Sequence, residues 1–229
     1  MAGTKQWLAQ RLPVLSWAKA VAQAWLNRLS PRHRSYSQCG EDAIVLQLCQ
    51  GNLPAGPYVD IGANHPTRLS NTYLFYRLGK SGLAIDPATH LLKLHRAVRP
   101  RDTTLAVACG ASPGVLEFRH AYNDVLSGFM SAGLKPSRVR RLEWVPVLPI
   151  DDILSMMMDS AIFLVSIDVE GFDREVVRGA VKTLARARFL IIEGTADDEE
   201  LLDLVHQAGH VLQAATKHNL IFMNTRSHF

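Results

Sequence analysis

The sequence predicts an α/β fold: a mostly parallel sheet closed by an antiparallel C-terminal strand, with a helical arm ahead of it. Three observations predict this. From residue 57 onward short apolar runs alternate with helical patterns, the mark of βαβ units. Several of those runs end in carboxylates, at the sheet edge where open α/β sheets hold ligands. The last two runs are separated only by a short link holding Lys217 and His218, so they read as a hairpin and not as a further crossover.

In order, the strands are expected at 58–61, 82–85, 104–108, 162–167, 189–192, 211–214 and 220–223. Helices are expected at 70–79, 88–98, 173–186 and 197–208, with Gly79, Gly179 and Gly209 near their ends as stop signals. Residues 1–35 differ in character: they hold three of the four tryptophans (Trp7, Trp17, Trp25) and six cations with no acid. Trp17, Val21, Trp25 and Leu29 recur every fourth position, which places them on one helical face. The chain is therefore divided into a basic amphipathic helical arm (1–35) and a single larger domain (36–229). That apolar face suits packing on the domain or on a second subunit first, and as the alternative a peripheral contact of residues 7–29 with an anionic membrane surface.

The whole chain carries +4 while the arm alone carries +6, so the body is slightly acidic. A body without a basic stripe argues against nucleic acid as partner. Three cysteines, Cys39, Cys49 and Cys109, form no Cys-x-x-Cys pair, so no zinc site or disulfide framework is encoded, and a reducing cytoplasm is expected. Neither a membrane-spanning run nor a secretory leader pattern is read.

The strongest local signal is Asp60-Ile61-Gly62-Ala63-Asn64, an apolar strand ending in an acid and a glycine turn. Gly62 lets backbone approach a ligand, and Asp60 can accept a hydrogen bond from a cationic amino group. Asp86 ends the next strand, where an acid takes ribose hydroxyls; dinucleotide proteins use the same placement. The turn holds Asn64 and Pro66 where a pyrophosphate-binding loop needs glycines, so a nucleoside cofactor without phosphates fits better. Asp168 and Glu170 end a later strand and are candidates for removing a proton from an acceptor hydroxyl, unless one of them caps the helix near Asp173. Glu193 reaches the same edge, and with Asp168 it offers a carboxylate pair to a divalent cation, although no further ligand follows to commit a metal. His65, beside the turn, is a secondary candidate base, and Ser127 lies in a loop long enough to cover the site.

These residues resemble the FkbM family of methyltransferases over most of 35–194. The segment Ser37-Gln38-Cys39-Gly40-Glu41-Asp42, the Asp-Ile-Gly-Ala-Asn turn, Ser70-Asn71-Thr72, the run from Asp168 to Asp173 and Arg178-Gly179-Ala180 follow in the family's order. Departures are Asp86 and Asp173 where the family has glutamate, and Phe172 where it has a small or polar residue. The resemblance implies a Rossmann-like class I methyltransferase that uses S-adenosylmethionine (SAM) to methylate a hydroxyl of a sugar, glycan or natural product. It implies a cofactor set of Asp60, Gly62, Ala63, Asn64, Asp86, Glu41 and Asn71, and a catalytic set of Asp168, Glu170 and His65. Two other readings compete: an NAD-dependent oxidoreductase on a similar sheet, and a non-catalytic SAM-binding module tethered by the arm.

Overall fold

Tyr58-Val59-Asp60-Ile61 has no exposed position, which is what a central parallel strand covered on both faces requires. In the computed structural model this segment is β1 (Tyr58–Ile61), an inner strand of a seven-stranded sheet. The structure describes residues 34–121, 139–158 and 160–226, together with Ala18, Val21, Ala22, Trp25 and Leu26 of the arm. Ser127, Trp7 and Trp17 lie outside the described residues.

Along the chain the elements are α1 (Glu41–Leu48), β1, α2 (Tyr73–Arg77), β2 (Gly82–Ile85), α3 (Thr89–Val98), β3 (Thr103–Leu105), β4 (Ala108–Cys109), β5 (Gly114–Ala121) and β6 (Val139–Leu148). They continue as α4 (Ile150–Met157), β7 (Ile162–Ile167), α5 (Asp173–Arg178), α6 (Val181–Ala185), β8 (Ala187–Glu193), α7 (Glu199–Gln207), β9 (His210–Ala215) and β10 (Asn219–Asn224). The large sheet runs β3-β2-β1-β7-β8-β10-β9. Its first five strands are parallel, and β10 lies antiparallel to both β8 and β9, as the terminal hairpin predicts.

From β1 the chain winds outward through β2 and β3, then returns to β7 on the other flank. That reversal opens a crevice at the carboxyl ends of β1 and β7. Asp60 stands there between Ala84 of β2 and Ser166 of β7. Alternate strand residues feed two cores. Val59, Ile61, Val165, Ile167, Leu190 and Ile192 face one side with Ile153, Val176, Leu184 and Val205 from the helices. Tyr58, Leu164, Phe189 and Ile191 face the other, with Val45 of α1 and Tyr73 to Tyr76 of α2.

Three sequence expectations change. The strand expected at 104–108 divides, β3 staying in the large sheet while β4 joins a second, three-stranded sheet in the order β4-β6-β5. The helix expected at 173–186 breaks at Gly179, where a Cβ would lie 2.1 Å from the Gly110 carbonyl oxygen, so the chain is pressed against β4. The helix expected at 70–79 shortens to Tyr73–Arg77, because Thr72 is held by its hydroxyl. Helices α1 and α4 and the β5–β6 hairpin add to what periodicity shows. In the arm, Val21 packs against Leu94 and Val98 of α3.

Candidate functional site

The turn after β1 is fixed by backbone. Gly62 has φ +78°, and a Cβ there would sit 1.8 Å from the Asp168 carbonyl oxygen, so the close approach that demands glycine is to β7's continuation. The amides of Gly62 and Ala63 both donate to the Ile85 carbonyl, at 3.0 and 3.1 Å. Asn64, with φ +43°, donates its amide to Asp86 Oδ2 at 2.9 Å, while Asp86 Oδ1 accepts from the Ala88 amide at 2.7 Å. Asp86 therefore joins the turn to the start of α3.

Beneath the turn lies His95, fully buried, its Nε2 donating to the Asn64 carbonyl at 3.0 Å. Burial and the Arg99 charge push its pKa down to about 3, which keeps the ring neutral. His95 was not singled out in the sequence; the signal is its place on the buried stripe of α3 with Leu91, Leu92 and Leu94.

Asp60 is held from the α2 side. Its Oδ2 accepts from Thr72 Oγ1 at 2.5 Å, and Thr72 also accepts from Arg99 Nη2 at 2.9 Å. Arg99 is fully buried, ion-paired to Asp102 at 2.7 Å and donating to the Tyr58 hydroxyl at 2.8 Å. Tyr58 in turn donates to Asp102 at 2.5 Å. Burial pushes the Asp60 pKa up, and Arg99 and Thr72 pull against it. Because Asp102 already neutralises Arg99, the cluster with Asp60 ionised keeps one uncompensated negative charge. Asn71 donates to Ser166 Oγ at 3.1 Å beside this carboxylate.

Across the crevice the chain beyond β7 carries Asp168 and Glu170, the latter at φ +54°. Neither caps α5. Asp173 itself reaches back, accepting from the amides of Val169 and Gly171 at 3.0 and 3.1 Å. Burial, then Glu193, Asp173, Glu170 and Asp60, hold the Asp168 pKa well above the usual carboxylate range. Glu170 and Asp173 are each raised to about 7 by burial and by the charges around them. Glu193 Oε2 is buried and makes no hydrogen bond. Among the described residues no group of three or more metal-ligating side chains is placed to hold an ion, so the cation reading rests on the Asp168–Glu193 pair alone.

Two further candidates are held by hydrogen bonds within the fold. Glu41 is fully buried beside the start of β10, whose Asn219 pairs with Glu193: one carboxylate oxygen accepts from Thr216 (2.7 Å) and Asn219 (3.0 Å), the other from the Cys39 amide (2.8 Å). It ties α1 to the terminal hairpin. His65 accepts at Nδ1 from the Thr67 amide at 3.2 Å, which ties it to its own turn. The second sheet borders the site as well. The His120 ring stands 6.5 Å from that of His90 in α3, and Phe172 packs where a Gly110 side chain would be.

A parallel sheet reversed beside β1, acid-tipped at its carboxyl edge and closed by an antiparallel last strand, defines the class: a Rossmann-like methyltransferase fold. A family model for the methyltransferase FkbM domain matches residues 60–217, more than half of the chain, and the chain belongs to that family. Among solved structures, the methyltransferase FkbM from Methylobacillus flagellatus KT is similar at 19% identity with a TM-score of 0.48, over 74% of this chain and 43% of that one. A putative O-methyltransferase from Klebsiella pneumoniae shares 14% identity with a TM-score of 0.43 over 97% of both chains. The chain thus spans less than half the length of the first of these. At these scores neither likeness carries an argument, and the assignment rests on the domain match. No curated protein matches the sequence.

Proposed function

We propose that this methyltransferase is SAM-dependent and methylates a hydroxyl of a sugar, glycan or natural-product acceptor. The observation that carries this is a crevice that, among the described residues, gathers carboxylates without matching cations. Asp168, Glu170, Asp173 and Glu193 crowd one side of it, where burial and the Glu193 charge raise the pKa values of the other three, and Asp60 faces them with its own cation already matched by Asp102. A cofactor with a sulfonium and an ammonium group relieves that repulsion; a dinucleotide with a pyrophosphate adds to it. The turn agrees. Its amides at Gly62, Ala63 and Asn64 are already bonded, and the helix that follows the turn in the chain, α2, starts only at Tyr73 and not at the turn itself, as a phosphate-binding loop would have it.

Asp60 is assigned the amino acid end of the cofactor, Asp86 the ribose hydroxyls, and the backbone from Gly62 to Asn64 the nucleoside's near face. When bound, SAM supplies an activated methyl group, so the protein's part is mainly positioning. Glu170, half-buried with a pKa near neutrality, is suited to accept the acceptor's proton, with Asp168 as its neighbour in the same role. Calorimetric titration with SAM and with NAD tests the reading. SAM is expected to bind and NAD not to, and Asp60→Asn is expected to weaken SAM by roughly 10- to 100-fold, the loss of one charge-assisted hydrogen bond. Unchanged SAM affinity in Asp60→Asn would remove Asp60 from the site. Methyl transfer from labelled SAM to a panel of sugars and phenols then identifies the acceptor.

A further inference from the structure

We propose that Thr72 and Ser166 are positioning residues that present Asp60 to the cofactor as a preformed anion, each through a hydroxyl proton whose direction a neighbour has already fixed. This rests on the reading that Asp60 takes the cofactor's amino acid end. A guanidinium has donors and no acceptor, so a hydroxyl that accepts from it must send its own proton elsewhere. Thr72 Oγ1 accepts from Arg99 Nη2 at 2.9 Å and sends its proton to Asp60 Oδ2 at 2.5 Å. Ser166, the cross-strand neighbour of Asp60 on β7, repeats the arrangement. Its Oγ accepts from the Asn71 side-chain amide at 3.1 Å, and it hydrogen-bonds the Asp60 carboxylate. The same rule holds on the other side of Arg99, where the Tyr58 hydroxyl accepts from Nη2 at 2.8 Å and donates to Asp102 at 2.5 Å. All of these side chains are buried.

The hydroxyl spacer decides what is transmitted. A guanidinium bonded directly to Asp60 would cancel the carboxylate's charge and leave little for a cationic ligand. Arg99 instead makes its ion pair with Asp102, at 2.7 Å, and reaches Asp60 through a neutral group. Orientation passes along the chain of hydrogen bonds while the positive charge stays with Asp102. The surroundings oppose an ionised Asp60: burial disfavours the charge, and Asp102 and, across the crevice, Asp168 carry the same sign. The two hydroxyl protons and the Arg99 charge favour it. Without the hydroxyls the carboxyl would hold a proton more readily and lose its attraction for an ammonium group.

The test is a pH titration of the carboxyl carbon signals of aspartate-labelled protein without ligand, the Asp60 signal being the one lost in Asp60→Asn. Thr72→Val keeps the side chain's shape and removes the hydroxyl. It is expected to move the Asp60 midpoint up by roughly one pH unit, and Ser166→Ala is expected to move it in the same direction, since each removes a hydrogen bond to the charged form. Thr72→Ser, which restores the hydroxyl, is expected to titrate like the parent. In calorimetry the SAM affinity of Thr72→Val, taken as a ratio to the parent's, is expected to fall by up to roughly tenfold between about pH 7.5 and about pH 5.5, as Asp60 gains its proton. Three results would overturn the proposal: a parental midpoint in both Thr72→Val and Ser166→Ala, a midpoint raised as far in Thr72→Ser as in Thr72→Val, or a SAM affinity ratio that is the same at every pH, the mark of a merely structural Thr72. Because the carboxyl titration needs no ligand, its failure strikes the hydroxyl relay alone, whereas a parent that binds no SAM strikes the cofactor reading.

Discussion

At Gly62 two demands coincide, a left-handed backbone and a carbonyl oxygen within bonding distance of any added carbon. Gly62→Ala is expected to destabilise the protein by about 2 to 5 kcal/mol, combining overpacking with the left-handed penalty, as read by denaturant unfolding. A loss below about 1 kcal/mol would mean that the β7 connection yields easily. Glu170 titrates in the opposite direction from an ordinary surface glutamate. Its folded pKa is raised to about 7, against a usual 4.5, so its contribution to stability is present below pH 4.5 and is lost as pH rises toward 7. Glu170→Gln is therefore expected to melt higher than the parent at pH 8 and equal to it at pH 4. The same variant is expected to lose about 100-fold or more in turnover if Glu170 takes the proton, together with the rise in activity expected of the parent as pH increases through about 7. His95 has the reverse sign: with its pKa lowered to about 3, its contribution holds above pH 6.5 and fades as pH falls toward 3.

Among the elements, the parallel strands were legible because strands buried on both faces are written as nearly continuous apolar runs: β1, β2 and β7, interrupted only by Asp60 and Ser166, begin and end where their runs do. The β5–β6 hairpin was not legible. Its sequence around Val139-Arg140-Arg141-Leu142-Glu143-Trp144 exposes both charges and apolar side chains, Trp144 at 70%, so no clean alternation marks an inner face. The break between α5 and α6 depends on Gly110, far off in sequence, and a local window cannot register it. Glu41 shows the same limit. Its partners Thr216 and Asn219 are 175 and 178 residues away, so the clasp that this motif position forms cannot be read locally. Glu41→Ala is expected to cost about 2 to 4 kcal/mol by leaving buried donors unpaired, while SAM affinity measured by calorimetry stays at the parental value. Weakened SAM binding in a fully folded variant would return Glu41 to the site.

For the molecule as a whole, strand order is what turns scattered sequence motifs into one site. Asp60, Asp86, Asp168 and Glu193 are distributed over more than half of the chain, yet each ends a strand of the same sheet, at the same edge. That much the sequence implied, since every parallel strand must deliver its last residue to one side. The counter-charge of Arg99 and Asp102 and the support of His95 came only with packing. A cation bound in the crevice is expected to flatten the pH dependence of the melting temperature between about pH 4 and 7, because it restores the ordinary pKa values of Glu170 and Asp173. Differential scanning with and without SAM would show a ligand-induced stabilisation that grows with pH over that interval; a constant increment would dissociate the acids from the ligand.

The seat of Gly62 on the Asp168 carbonyl has a mechanical meaning. The loop assigned to the methyl donor and the loop assigned to its recipient rest on one another without a side chain between them, so neither can shift unless its neighbour gives way. Occupancy of one half should then alter the grip of the other, and by reciprocity the donor's affinity will depend on whether a recipient is present.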